Sequence, residues 1–328
     1  MAMLSLDDVA RVLPVKRQGS VHVARCPFHQ DSGRPNLVLY EDHYHCFVCG
    51  AHGGFAKLLK QVGAEIPSQS GAPPRLHVVL AKKPPPEYAA KTREALLQAL
   101  DLSEEHREAL RKRGFSDQWI EFAGYRTMPK GSRVSLAERV AEESPLAGVA
   151  GFYRRSDGAW SLSGPAGIVI PVRGLHREIR GFQVRPDQVT DGAKYLWLSS
   201  AGHPEGVAAE ARPHVAFPMI GPIDLRQVWV TEGPLKGDYI SFCVGTVCVA
   251  VPGVSMWRLA VRDLIHADRL NLAFDEDDAE ASRAAVAAAE AGLKLTFGDA
   301  DVTQMSWRQG KGADDALAMQ ETLGWERW

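Results

Sequence analysis

The chain has 328 residues, 45% of them hydrophobic and 24% charged, with a formal net charge of −2. That composition gives about two or three soluble globular domains with real cores, and no apolar run approaches the ~18 residues of a membrane-spanning helix. The first residues, MAMLSLDDVARVLP, carry acids where a secretory signal carries bases, so a cytoplasmic protein with no membrane partner is expected.

Charge is unevenly spread. Residues 1–66 hold 7 Lys/Arg against 6 Asp/Glu, residues 67–222 hold 21 against 17, and residues 223–328 hold 10 against 17. A mildly basic middle followed by an acidic end suits phosphate contact by one part and cation binding by another; an acidic, merely solubilising domain accounts for the charge equally well. The five cysteines, Cys26, Cys46, Cys49, Cys243 and Cys248, are odd in number and clustered, which fits a reducing compartment and a metal site better than a disulfide framework.

In chain order, the first element is CPFHQDSGRPNLVLYEDHYHCFVCG. Cys26-x2-His29 is followed after sixteen residues by Cys46-x2-Cys49. Two such pairs on tight turns close a tetrahedron of three thiolates and one imidazole around structural Zn²⁺, and a full ligand set makes that zinc non-catalytic. A site using His45 or His52 in place of His29 is the alternative. Strand-like flanks predict a ribbon with the metal at one end. Arg25, Arg34, Lys57 and Lys60 with Tyr44 and Phe47 are candidates for charge and stacking contacts to single-stranded bases.

Residues 67–87, PSQSGAPPRLHVVLAKKPPPE, read as a Pro-rich linker. From Tyr88 to about Gly124 the pattern is helical, with Ser103 and Ser116 as N-caps and Gly114 and Gly124 as stops. From Val149 to about Leu198 it turns to strands, in GIVIPV, GFQVRP and KYLWLS. After Pro222, VWVT, TVCVAVP, LNLAFD and LKLTF read as buried strands. LKGDYISFC, MWRLAVRDLI and AEASRAAVAAAEAG read as helices between them. The alternation predicts a mostly parallel α/β sheet.

VWVTEGPLKGD raises the question of whether Lys236 meets phosphate or Glu232 holds a metal. Glu232 follows one strand; Asp275 and Asp277 follow another. Carboxyl ends of parallel strands line the ligand crevice of an open sheet. Carboxylates converging there call for a hard cation, Mg²⁺ or Mn²⁺. Simple N-capping of the helix near Ala279 by Asp275–Asp278 is the competing reading.

CPFH…YHCFVCGAHGG resembles the zinc ribbon of DnaG-type and bacteriophage primases. VTEG, AFDED and GADDALA together resemble the Toprim domain of primases, topoisomerases and certain nucleases. GIVIPVRGLHREIRGFQVRPD with KYLWLSS is similar to the DnaG-type polymerase core. The resemblance implies a multidomain α/β (α+β) chain: a ribbon over 1–66, the linker, a mixed α+β basic subdomain over 88–222 and a Toprim α/β domain over 223–328. It implies Mg²⁺ held by Glu232, Asp275 and Asp277, with Asp238, Asp314 and Asp315 as further ligands. Template or nucleotide phosphates would fall to Arg185 and Lys194, with Arg173, Arg180 and Lys236 beside them. The family usually carries an acid at the position of Lys236, and Asp-Ala follows Asp-x-Asp here rather than the commoner Ala-Gly.

The function so implied is synthesis of short RNA on single-stranded DNA from ribonucleoside triphosphates. No helicase motor motif is present, and the chain stops soon after the third acidic motif. A compact primase of a phage, plasmid or other mobile element, working with a separate replicative helicase, is therefore expected. A non-catalytic nucleic-acid-binding accessory and a Toprim nuclease are the alternatives.

Overall fold

The computed structural model describes residues 6–18, 21–28, 35–40, 43–46, 51–62, 84–188, 194–275, 279–307 and 312–323. The chain divides into two compact units, 1–78 and 79–328.

In the first unit, α1 (Leu6–Ala10) precedes β1 (Lys16–Gln18), β2 (Val21–Ala24), β3 (Leu37–Leu39), β4 (His43–Cys46), β5 (His52–Gly54) and α2 (Phe55–Gln61). The strands pair antiparallel in sequence order. Alternation puts Leu37, Leu39, Tyr44 and Cys46 into a core closed by Phe55, Leu58 and Leu59. Tyr44 is fully buried and stacks on Phe28 at 5.3 Å, so it has no face left for a nucleic-acid base. Arg34 and Phe47 lie outside the described residues.

The second unit opens with α3 (Pro86–Ala99), α4 (Glu104–Arg111) and α5 (Asp117–Ala123). Ser103 Oγ accepts from the His106 N–H at 3.3 Å and Ser116 Oγ from the Trp119 N–H at 3.2 Å, which satisfies amides that a helix start leaves open. Gly124 ends α5 in the left-handed region at φ 77°, where a side chain would be strained. Next come β6 (Arg126–Met128), α6 (Arg133–Glu143), the hairpin β7 (Phe152–Arg154) and β8 (Trp160–Leu162), then β9 (Gly167–Arg173), β10 (Ile179–Pro186) and β11 (Leu196–Trp197). A four-stranded antiparallel sheet runs β11-β10-β9-β6.

The remaining elements are β12 (His214–Ala216), β13 (Gln227–Glu232), α7 (Pro234–Val244), β14 (Val247–Val251), a 3₁₀ segment (Val254–Asp263), β15 (Arg269–Leu272), α8 (Glu280–Thr296), β16 (Asp301–Gln304) and α9 (Ala313–Leu323). Their sheet runs β12-β14-β13-β15-β16, parallel except for β12 at one edge. That edge strand precedes Pro222, so the sheet draws on chain upstream of the boundary read at 222/223. The two halves also share a core, in which Leu110, Trp119, Tyr125 and Ile170 meet Leu235, Tyr239, Cys248 and Leu317.

One expected strand is a helix. LKLTF, residues 293–297, ends α8 instead of forming a strand. Val286, Ala289, Leu293 and Phe297 recur at helical spacing toward the sheet, while Leu295 is 87% exposed. Gly292, inside α8, is a packing residue: a Cβ there would overlap the Trp257 ring.

Candidate active site

The strand tips set the site. Thr231 Oγ1 donates to the Ala273 carbonyl at 2.8 Å, and the Ala273 N–H donates to the Val230 carbonyl at 2.7 Å. These bonds extend the β13–β15 pairing past its last residues and bring Glu232 beside Asp275. Gly233 then turns the chain at φ 78°, and Pro234 opens α7 with its preset φ. Gly237 lets α7 lie close on β14, since a Cβ there would stand 2.8 Å from the Ala250 Cβ. The first turn of α7 thus presents Lys236 to the sheet tips.

Lys236 Nζ is ion-paired with Asp275 Oδ1 and stands 3.8 Å from Asp314 Oδ1, in the first turn of α9. Gly312 allows this approach, because a Cβ at that position would collide with Asp275 Oδ1. Ala313 and Leu317 seat α9 against the core that contains Leu235 and Tyr239. Burial pushes the Glu232 carboxyl above the ordinary carboxylate range. The neighbouring Asp275 pushes it the same way, while Lys236 and the Val254 N–H oppose. Carboxylates this close stay ionised together only with a cation between them. Their oxygens are hard donors of the kind that Mg²⁺ or Mn²⁺ takes, so Glu232 and Asp275 fit part of a divalent-ion site.

These groups line a cleft of about 830 Å³, and Lys112, Arg113, Lys194 and Tyr195 line the same cleft. The Tyr195 phenol, pushed up chiefly by burial, is hydrogen-bonded to Arg113. Arg111 also borders the cleft, but its guanidinium is engaged by Glu104, Glu108 and Asp117. A volume of this order holds a nucleotide-sized ligand.

Of the residues singled out from sequence, Glu232, Asp275, Asp314, Asp315, Lys194 and Lys236 line the cleft. Asp277, in the Asp-x-Asp pair, lies outside the described residues. Asp238 points elsewhere: it is buried, accepts from the Tyr125 hydroxyl at 2.6 Å and pairs with His214 Nε2 at 2.9 Å. A helix turns about 100° per residue, so Asp238 faces away from Lys236, two positions before it. Arg180 is committed to Asp263 through two bonds of 2.6 and 2.8 Å, and to Glu178. Arg173 donates to the Arg177 carbonyl at 3.2 Å. Neither of these two arginines lines the cleft, and the half-buried Arg185 of β10 does not line it either.

Sequence reading missed Arg113 and Tyr195. Tyr195 adjoins Lys194 in KYLWLS, and Arg113 closes the run RKR that begins with the last residue of α4. Neither spacing distinguishes a cleft residue from an exposed one.

In the first unit, Cys26 follows β2 and Cys46 ends β4. The register pairs Ala24 with Leu37 and Leu37 with Cys46, which brings both cysteines to the same end of the sheet, where they are buried. The Cys46 N–H donates to the Ala51 carbonyl at 2.8 Å. His29 and Cys49 lie outside the described residues. Among the described residues no group of three His, Cys, Asp or Glu is placed to hold a metal, and no helix is long and apolar enough to cross a membrane.

Residues 5–65 match the family described as CHC2 zinc finger of the DnaG zinc ribbon, which supports structural zinc in this unit. The chain is 26% identical over 147 residues to the DNA primase of Thermotoga maritima, across 40% of this chain and 25% of that protein. It thus matches about a quarter of the length of that curated relative. Its fold is that of the zinc-binding and RNA polymerase domains of the Aquifex aeolicus primase, at TM-score 0.55 and 16% identity over 97% of this chain and 81% of that one. A DNA primase domain from Pseudomonas aeruginosa is similar at TM-score 0.50 and 15% identity, over 72% and 76% of the two chains. The resemblance to DnaG-type primases therefore holds in sequence and in fold.

Proposed function

We propose that this protein is a DNA primase, making short RNA primers on single-stranded DNA by metal-dependent nucleotidyl transfer. The observation that carries this reading is the meeting of Glu232, Asp275 and Asp314 with the cations Arg113 and Lys194 across one cleft of a primase-type fold. Glu232 and Asp275, with Asp277, would hold Mg²⁺ or Mn²⁺, with Asp314 and Asp315 as further carboxylates of the same cleft. A divalent ion bound there would supply neutralisation of phosphate charge and activation of the 3′-hydroxyl. Arg113 and Lys194 bind the triphosphate of an incoming ribonucleotide, Arg113 as a planar fork and Lys194 as a point charge. Tyr195 holds the Arg113 guanidinium toward the cleft. The N-terminal ribbon, residues 1–66, with zinc on Cys26, His29, Cys46 and Cys49, contacts the template; residues 88–222 supply the basic wall and residues 223–328 the acids.

The test is incorporation of labelled ribonucleotides by the full chain on single-stranded DNA with Mg²⁺ or Mn²⁺. Product that depends on the divalent ion and falls to background in Asp275→Ala is expected. No product from the wild-type chain across varied templates overturns the proposal. The Lys236–Asp275 ion pair favours a second reading, a binding-only replication accessory. Its signature is undiminished single-strand binding without ribonucleotide incorporation.

A further inference from the structure

The acidic cluster already contains one cation. Lys236 reaches it from the first turn of α7, where Gly233 and Pro234 fix the backbone and Leu235 and Tyr239 anchor the helix in the core. Its side chain is 13% exposed, so the ammonium is not a rim group swinging in solvent. It is bound to Asp275 Oδ1 and lies 3.8 Å from Asp314 Oδ1. An ammonium offers three donors and no acceptor, so each carboxylate lone pair that it engages is withdrawn from metal coordination. A divalent ion placed within a few ångströms of Nζ is also repelled by it.

We infer that Lys236 is a resident cation that fills one charge-neutralising position of the cluster, so that the cleft takes up a single divalent ion on the Glu232 side. This rests on the reading of the acids as a metal site. It predicts that removing the ammonium opens a second metal position at Asp275 and Asp314 without any change to the acids.

Mn²⁺ binding to the zinc-loaded full chain separates the possibilities. Free Mn²⁺ is followed by electron paramagnetic resonance, zinc is counted by mass spectrometry, and only sites abolished by Asp275→Ala are scored. The wild-type chain is expected to bind one Mn²⁺. Lys236→Met is expected to bind a second, or to hold the first roughly tenfold more tightly. Lys236→Arg, which keeps the charge, is expected to behave as wild type. Two scored ions on the wild-type chain, or an unchanged number and affinity in Lys236→Met, overturn the inference while leaving the metal site standing. No scored Mn²⁺ on either chain overturns the metal site as well. The wild-type count needs no variant, so the inference remains refutable even if Lys236→Met does not fold.

Discussion

The Tyr125 hydroxyl donates a 2.6 Å hydrogen bond to Asp238, which lies 113 residues further along the chain. Asp238 is also paired with His214 Nε2, and His214 Nδ1 accepts from the Arg173 N–H at 3.0 Å. With Nδ1 accepting, Nε2 carries the proton, so the imidazole is neutral and donates to the carboxylate. This buried relay joins the end of α5, β9, β12 and α7. It fixes the helix that carries Lys236 against the antiparallel sheet.

Tyr125→Phe removes a buried bond to a charged group and should lower stability at neutral pH by about 1–3 kcal/mol in denaturant melts. Burial, helped by Asp238, pushes the Tyr125 phenol well above its ordinary value. The native state therefore keeps a proton that the unfolded chain releases above about pH 10. The stabilising contribution is complete below that pH and is lost as pH rises through and beyond it. Alkaline destabilisation should accordingly be shallower in Tyr125→Phe, and a parallel pH curve would contradict this assignment.

Arg180 is expected to matter for folding rather than for phosphate binding. Asp263 is only 2% exposed in its side chain, and Arg180→Ala leaves that charge buried without its partner. A loss of about 3–5 kcal/mol follows from such a break. Replacing both residues with apolar ones of similar size should recover most of the loss. A variant with wild-type stability and weakened DNA binding would restore the phosphate-contact role.

Gly312→Ala tests the packing of the acidic cluster. The new methyl group displaces Asp275 Oδ1 while leaving the sheet intact. Ribonucleotide incorporation should fall by about 100-fold, the order reached when a catalytic group is shifted by 1 Å. The circular dichroism spectrum should be unchanged. Full activity would show that Asp275 does not need its observed position.

Cys46→Ser should reduce bound zinc, measured by mass spectrometry, from one ion per chain to near zero. Structural zinc contributes directly to folding, so the first unit should lose its cooperative transition. The unfolding of the second unit should stay within about 0.5 kcal/mol of wild type, since the two fold around separate cores. Retained zinc would point to a different ligand set.

Local physics made much of this protein legible from its residues alone. Cys-x2-His and Cys-x2-Cys announce a metal ribbon because zinc needs four donors on tight turns. Ser103 and Ser116 announce helix starts because their hydroxyls meet amides three residues on. Glu232 and Asp275 are placed by the strand runs that precede them. Each of these signals is complete within a few residues. The tertiary structure decided what depends on distant partners. LKLTF alternates like a strand until the Val286–Phe297 stripe meets the sheet. Arg180 and Asp238 look like exposed site residues until Asp263 and Tyr125, from remote parts of the chain, occupy them. Lys236 shows the division most clearly. Its sequence position marks it as unusual, and only the convergence of β13, β15 and α9 puts its ammonium among the acids. A pairwise electrostatic contact is set by three-dimensional distance, which local sequence does not contain.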